Sequence, residues 1–376
     1  MAIFDVIVIG LGAMGSSAVD HLARRGLDVL GLDQFDPPHN QGSSYGQTRM
    51  IREAYFEHPA YVPIVQRAYE LWDELETDYG QQLFIQTGAL MIGPAEGALV
   101  QGSETSALQH GLAYEKLSAQ AVKERYPALT PTADMMAIFE SRAGLLFLED
   151  CIRAHLQRAK THGAQLHVNQ TVNEWRIENG ISQVETTNGT YSAKKILFTA
   201  GAWIGQLVPE LSLPCQIERQ LQFWFEPKHP EPFQLGKFPG YMIEDHQSPP
   251  YLYGFPTVDE GKIKTALHHG GQLNQNADSV DRDIHPEDVE AVRQRLEKYL
   301  PDANGELVES VVCLYTNTPD EHFLLDHHPH HPEVLIASPC SGHGFKFSSV
   351  IGEIVADLLT DQTPKFNLDL FKLDRF

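Results

Sequence analysis

Cysteine is scarce in this chain: four occur in 376 residues, at Cys151, Cys215, Cys313 and Cys340, and no two form a CxxC pair. That pattern excludes a disulfide framework and gives no sign of a zinc site, and it points to a reducing compartment. Positive charge is also short. Lys and Arg number 28 against 50 Asp and Glu, a net charge of −22, so nucleic acid and anionic membrane are repelled over most of the surface. An anionic small molecule must then be drawn in by local cations. No apolar run reaches the length of a membrane span. The N-terminus lacks the basic region and cleavage site of a secretory leader, and Asp374-Arg375-Phe376 is not a peroxisomal address. The expectation is a cytoplasmic protein with no nucleic-acid or membrane partner.

The chain does have enough apolar residues, 42% of the total, for two or so domains with sizeable cores. Near its start, Val6-Ile7-Val8-Ile9-Gly10-Leu11-Gly12-Ala13-Met14-Gly15 sets a GxGxxG loop after an apolar strand. A helical segment runs from about Met14 to Arg25, and a second strand, Val29 to Leu32, ends at Asp33. This is the spacing of a dinucleotide fingerprint. Gly10 makes the tight turn, Gly12 lets the backbone approach a pyrophosphate, Gly15 lets helix pack on strand, and Asp33 takes ribose hydroxyls. Asp33 argues against a 2′-phosphate, so NADP is disfavoured while NAD and FAD fit equally.

Helical periodicity appears at Tyr61 to Leu75, Pro286 to Tyr299 and around Val350 to Leu359. Strand-like runs occur at Ala89 to Ile92, Ala137 to Phe139, Ile196 to Thr199, Leu221 to Phe225, Ile263 to Leu267, Val311 to Tyr315 and Val334 to Ala337. The expected fold class is α/β: an FAD-binding Rossmann-like domain with a second, mixed-sheet substrate domain of α+β type. Residues 1–85, 145–215 and 316–376 are expected to form the discontinuous nucleotide domain, and residues 86–144 and 216–315 the substrate domain. Pro227 to Pro232 and Pro249-Pro250 read as loops inside the latter.

In Val311 to Tyr315 a period of two puts Cys313 and Tyr315 on one strand face, and Tyr251, Tyr253 and Phe255 alternate likewise. Lys264 and His268 share a face whether their segment is strand or helix, and are read as neighbours. Arg49, Arg52 and Tyr55 are spaced as on one face of a helical turn. Each has an ordinary reading too: Cys313 as a small buried hydrophobe, the cations as solvated charges, the aromatics as core. The cluster His327-His328-Pro329-His330-His331 lacks spaced acids or cysteines and reads as a surface loop, so no metal site is expected.

Several blocks resemble the monomeric sarcosine oxidase family, which includes the N-methyl-tryptophan oxidases. They are the opening strand and glycine loop, Asp36-Pro37-Pro38-His39, Gly46-Gln47-Thr48-Arg49-Met50-Ile51-Arg52, Tyr253-Gly254-Phe255-Pro256, Cys313-Leu314-Tyr315-Thr316, Asp320-Glu321-His322-Phe323 and Ser341-Gly342-His343-Gly344-Phe345-Lys346-Phe347. The resemblance runs almost end to end. It implies a flavin-dependent oxidase of N-methyl amino acids, monomeric, with an amino acid and O2 as its small-molecule partners, and FAD attached covalently through Cys313. It further implies that Arg52 and Lys346 hold the substrate carboxylate, with Tyr253 and Met242 in the substrate pocket. Lys264, His268, Arg49 and Tyr315 correspond to catalytic groups near the flavin, and Gly342 and Gly344 to the cofactor-binding turn. The chain departs from the family pattern at Ser44, Tyr45, Gln47 and Cys340, which bears on flavin contacts and on pocket size.

Overall fold

The computed structural model describes residues 3–245, 250–259 and 261–376. Pro249 of the expected Pro249-Pro250 loop lies outside them. The strand Ile3–Ile9 is apolar on both faces because both are covered. Val6 and Val8 join a core with the helices Ala13–Arg24, Val62–Tyr79, Leu148–Thr161 and Ser348–Leu359, while Ile7 and Ile9 pack on the opposite side with Phe198 and Ile336.

Three distant pieces of chain meet here as neighbouring parallel strands. Ile3–Ile9 pairs with Val29–Leu32 on one side and with Gly189–Phe198 on the other, and Phe198 continues the ladder to Ile336 of His331–Ser338. Gln165–His167 extends one edge of this eight-stranded sheet, and the meander of Val172–Glu178 and Ile181–Thr186 extends the other. The helices Ala13–Arg24 and Ser348–Leu359 lie against each other on one face.

The second sheet has nine strands. At one edge Glu306–Asn317 runs antiparallel to Gln216–Glu226, from Gln216 opposite Asn317 to Glu226 opposite Glu306. Beyond Gln216–Glu226 come Ile263–His268, Tyr251–Gly254, Gly240–Ile243, Ala89–Pro94, Met135–Glu140 and Glu115–Ser118. The period of two sorts the side chains of Gln216–Glu226. Phe223 and Phe225 enter a core with Val292, Leu296 and Tyr299 of the helix Pro286–Tyr299, and the alternate residues Glu218, Gln220 and Gln222 are equally buried on the other face. Thr48–Ile51, Gly144–Phe147 and Phe84–Gln86 form a small third sheet.

Three expectations need correction. Thr48–Ile51 is a strand, not a helical turn, because it pairs from Thr48 to Ile51 with Gly144–Phe147. Lys264 and His268 share a strand face in Ile263–His268, but at about 3.3 Å per residue they stand about 13 Å apart and are not neighbours. The histidine cluster is a tight hairpin between Leu324–His328 and His331–Ser338. Its His328 is buried, bonded to Glu210 at 3.0 Å and packed against Trp175, so aromatic packing keeps it out of solvent.

Candidate active site

The glycine loop is shaped by contact. Gly10 has φ +96°, and a Cβ there would lie 2.6 Å from the Thr199 carbonyl; a Cβ on Gly15 would lie 1.7 Å from the carbonyl of Gly10. Gly12 begins the helix Ala13–Arg24 with no side chain of its own and no acid in the first turn, and both Gly12 and Ala13 line the cleft, so the positive end of the helix dipole is turned to it. Asp33 is buried beside it. Its Oδ2 accepts from Leu11 N at 2.7 Å and its Oδ1 from Phe35 N at 2.8 Å, so the acid also fixes the loop.

One continuous cleft runs from Asp33 and Gly12 past Cys313 and Gly342 to Arg52 and Lys346. Gly344, Tyr253, Met242, His268 and Tyr315 line it too, and Lys264 lies behind the wall, bonded to the loop that carries Arg49. The cleft thus joins residues from both large sheets. Two buried polar atoms on its wall, Gln220 Nε2 and Thr316 Oγ1, have no hydrogen-bond partner among the described residues. A donor and a hydroxyl left bare in a buried wall fit a polar cofactor lying over them.

At the middle of the cleft, Cys313 sits directly opposite Gln220 in the ladder. Its Sγ is 3.5 Å from the Ser43 carbonyl and 3.8 Å from Arg49 Nη2. Arg49 is held by carbonyls: Nη2 donates to Ser43 O at 3.0 Å and Tyr45 O at 2.8 Å, and Nη1 to Thr48 O at 2.9 Å and Gln222 Oε1 at 3.3 Å. Lys264 Nζ donates to the carbonyls of Gly46 and Thr48 and stands over the Trp224 and Phe255 rings at 5.4 and 5.3 Å. The 43–48 loop therefore turns its carbonyls inward onto two cations, while Glu149 Oε1 accepts its outer Gly46 and Gln47 N–H groups. Burial, then the neighbouring Arg49 charge, holds Lys264 well below the ordinary lysine range.

The departures in this loop have local work. Ser44 Oγ accepts from Ala13 N at 3.2 Å, the Tyr45 carbonyl accepts from Arg49 and Gln222, and Gln47, at φ +65°, accepts from Trp224 Nε1 at 2.8 Å. Cys340 lines the cleft, and burial pushes its thiol up to about 11.

At the far end, Arg52 and Lys346 are both buried, at 4% and 6% exposure, which removes the reading of solvated surface charges. Arg52 lies between the Tyr55 and Phe56 rings at 4.3 and 4.4 Å. It is not free. Its Nη2 donates to both oxygens of Glu57 at 2.7 Å. Lys346 Nζ donates to the His343 carbonyl at 2.8 Å, and Trp72 Nε1 donates to the Lys346 carbonyl at 2.9 Å. Burial, with the Arg52 charge added, lowers Lys346 from 10.5 to about 7. His268 Nδ1 and the Tyr315 hydroxyl lie 3.2 Å apart, and Met242 stands opposite Tyr253 in the sheet.

Sequence reading missed Glu57, which binds Arg52, and the buried polar row Glu218, Gln220 and Gln222. Glu57 leaves no local trace, since it lies five positions beyond Arg52 in irregular chain. The row does: Glu218, Gln220 and Gln222 at a period of two, leading into the apolar Phe223-Trp224-Phe225, mark a second buried face that must meet polar partners.

A family model described as FAD dependent oxidoreductase matches residues 5–358. The chain is 41% identical over 372 residues to a monomeric sarcosine oxidase of Streptomyces avermitilis, covering 98% of this chain and 96% of that one. It is 38% identical over 376 residues to an N-methyl-L-tryptophan oxidase of Salmonella agona, covering 99% of each. Among solved structures, a glycine oxidase from Geobacillus kaustophilus superposes with a TM-score of 0.84 at 20% identity, over the whole of both chains.

Proposed function

We propose, for a chain that belongs to the FAD dependent oxidoreductase family and within it stands with the monomeric sarcosine and N-methyl-L-tryptophan oxidases, that it oxidises N-methyl amino acids. The observation that carries this reading is the far end of the cleft. The cleft that opens on the glycine loop also holds two buried cations, Arg52 and Lys346, and an apolar wall of Met242 and Tyr253. Cations suit a carboxylate and the wall suits the rest of an amino acid. Bound FAD supplies the acceptor for a hydride from the N-methyl or α-carbon, leaving an imine that water hydrolyses, and O2 takes the electrons on to H2O2.

Gly10, Gly12, Gly15 and Asp33 would hold the dinucleotide, and Gly342 and Gly344 the flavin end. Arg52, Lys346, Tyr253 and Met242 would bind the amino acid, and Lys264, His268, Arg49 and Tyr315 would flank the reacting atoms. The two large sheets support the division of the chain into a cofactor-binding part, 1–85, 145–215 and 316–376, and a substrate part, 86–144 and 216–315. We take the protein to act as a cytoplasmic monomer. No helix among the described residues is long and apolar enough to cross a membrane. The test is a panel of secondary amines, sarcosine, N-methyl-tryptophan, pipecolate and a glycated amino acid, assayed for peroxide. Flavin bleaching without peroxide would instead mean a dehydrogenase, and no response would remove the enzyme reading.

Cys313 is proposed as the covalent attachment point, since its sulfur lies in the cleft beside Arg49. The yellow colour is then expected to stay with the protein after acid denaturation, and Cys313→Ser to release it. Cys340 is the rival, but a thiol raised to about 11 forms little thiolate, so Cys340→Ser should keep the bond. Free flavin in the supernatant of denatured wild type would end the covalent assignment.

Lys346 makes carboxylate binding depend on pH. With its pKa lowered to about 7 in the free protein, the ammonium is present below that pH and lost above it, while a bound carboxylate favours the ammonium. Affinity for a carboxylate inhibitor should therefore be flat below about pH 7 and fall by up to about tenfold per unit above it. Binding near neutrality should take up a proton, measurable by calorimetry in buffers of different ionisation enthalpy. A flat affinity with no proton uptake would remove Lys346 from the carboxylate site.

A further inference from the structure

The two cations proposed to hold a carboxylate share a neighbour, Tyr55, that is wholly buried at 0% exposure. Arg52 lies over its ring at 4.3 Å, and Lys346 Nζ stands 5.1 Å from the ring centroid. Tyr61 and Phe347 pack on the same ring at 4.9 and 5.2 Å, and Ser106 Oγ donates to the Tyr55 carbonyl at 2.5 Å. Packing therefore fixes the ring, and hydrogen bonding is left to decide where the hydroxyl proton points.

That hydroxyl meets His343, in the turn ahead of the helix Ser348–Leu359. Tyr55 Oη lies 2.5 Å from His343 Nδ1, and His343 Nε2 lies 2.9 Å from the carbonyl of Glu321. A carbonyl only accepts, so Nε2 carries the ring proton. Burial lowers His343 from 6.5 to about 4, so near neutral pH the ring has one proton and Nδ1 is a bare acceptor. Burial also raises Tyr55 well above the ordinary tyrosine range and keeps its hydroxyl protonated. The one hydroxyl proton goes to Nδ1, since the His343 carbonyl is more distant at 3.5 Å, and the Tyr55 oxygen then accepts from Lys346 Nζ at 3.4 Å. The His343 carbonyl takes another Lys346 N–H at 2.8 Å. Two of the three donors of the ammonium are thus directed into the protein, and the third is left for the cleft that Lys346 lines. The far end of the chain of bonds is set by Glu321, whose left-handed backbone, φ +59°, is uncommon for a residue with a Cβ, and by Phe323, stacked on the His343 ring at 4.8 Å.

We propose that His343 is a positioning residue of the carboxylate site: anchored on the Glu321 carbonyl as the Nε2–H tautomer, it takes the Tyr55 hydroxyl proton and so turns the Tyr55 oxygen toward Lys346. A ring with its proton on Nδ1 would reverse the chain, donating to Tyr55 and setting the tyrosine proton against the Lys346 ammonium, donor facing donor. The role rests on the reading of Lys346 as part of the carboxylate site. It accounts for two buried residues, Tyr55 and His343, that this reading alone leaves without a task.

The experiment uses the flavin-loaded protein without turnover, so its result is independent of the peroxide panel. Acetate is the probe, its affinity read from the perturbation of flavin absorbance at about pH 6.5, where Lys346 is charged. Tyr55→Phe keeps the ring against Arg52 and removes only the hydroxyl, and it should weaken acetate binding by about tenfold, the effect of one hydrogen bond to a charged group. His343→Leu, which has no acceptor, should do the same. The two together should weaken binding by no more than about twofold beyond either alone, because both act on one contact. His343→Asn, similar in size to Leu but with Oδ1 close to the place of Nδ1, should restore the affinity to within about threefold of wild type. A nitrogen-15 NMR spectrum of wild type, with the His343 signals assigned through the Asn variant, should show the proton on Nε2, and it decides the point even where His343→Leu folds poorly. Losses that multiply in the double variant, equal affinities of His343→Leu and His343→Asn, or a wild-type His343 with its proton on Nδ1 overturn the proposal while leaving Lys346 in the carboxylate site. Acetate that fails to bind wild type would end the carboxylate reading itself, and the proposal with it.

Discussion

Arg52→Ala is expected to raise the KM for a carboxylate substrate by between about 30-fold and a few thousand-fold. That range follows from losing a charge-assisted contact in a desolvated site, about 2 to 5 kcal/mol. Glu57 moves the expectation toward its upper end. In the free protein its two oxygens share Arg52, and although burial opposes its ionisation, the charges of Arg52, His343 and Lys346 keep it ionised. Removing Arg52 leaves that carboxylate buried beside the place where a second one must bind, so the variant adds repulsion to the lost attraction. The double variant Arg52→Ala/Glu57→Gln removes the repulsion and should recover part of the loss. Glu57→Gln alone should lower KM, because a bound carboxylate then has no rival for the guanidinium. Steady-state kinetics with sarcosine and with an uncharged amine analogue separate the effects: the analogue should be nearly indifferent to Arg52. Unchanged KM for the carboxylate substrate in Arg52→Ala would reduce Arg52 to a structural partner of Glu57.

Lys264→Met should divide the catalytic cycle in two. Reduction by substrate under nitrogen is expected to stay within about tenfold of wild type, a barrier change of about 1.4 kcal/mol or less. Reaction with O2 should slow by about a hundredfold to a thousandfold, the usual cost of removing a preorganised donor from a site where negative charge develops. Burial and Arg49 hold Lys264 well below the ordinary lysine range, so its ammonium is lost as pH rises through that lowered value. Two carbonyls, of Gly46 and Thr48, stay in place to receive its protons. The O2 reaction should therefore weaken with rising pH in wild type and lose that dependence in Lys264→Met. Stopped-flow absorbance measures the two half-reactions separately. Equal slowing of both would make Lys264 a support for the 43–48 loop, and an unaffected O2 reaction would end its role there.

The shape of the glycine loop was legible in the sequence because its cause is local. Gly10 and Gly15 are required by carbonyls that the strand and helix bring against them, and Asp33 comes at the distance one helix and one strand set. The assembly of the first sheet from three distant pieces was legible too, since strands apolar on both faces have few places to go. Periodicity likewise put Cys313 and Tyr315 on one face. What it could not determine was the company each side chain keeps. Arg49 and Arg52 are three residues apart, and a strand spacing of about 10 Å sends one to the thiol of Cys313 and the other to Glu57. The same extension parts Lys264 from His268, which pattern alone had read as neighbours. His269 shows the reverse case, in which one left-handed residue folds two side chains together that a strand would have separated. Sequence specifies backbone period and residue chemistry. Only the tertiary structure, through where each strand ends and which carboxylate or carbonyl arrives from elsewhere in the chain, decided which cation is paired, which is buried, and which faces the cleft.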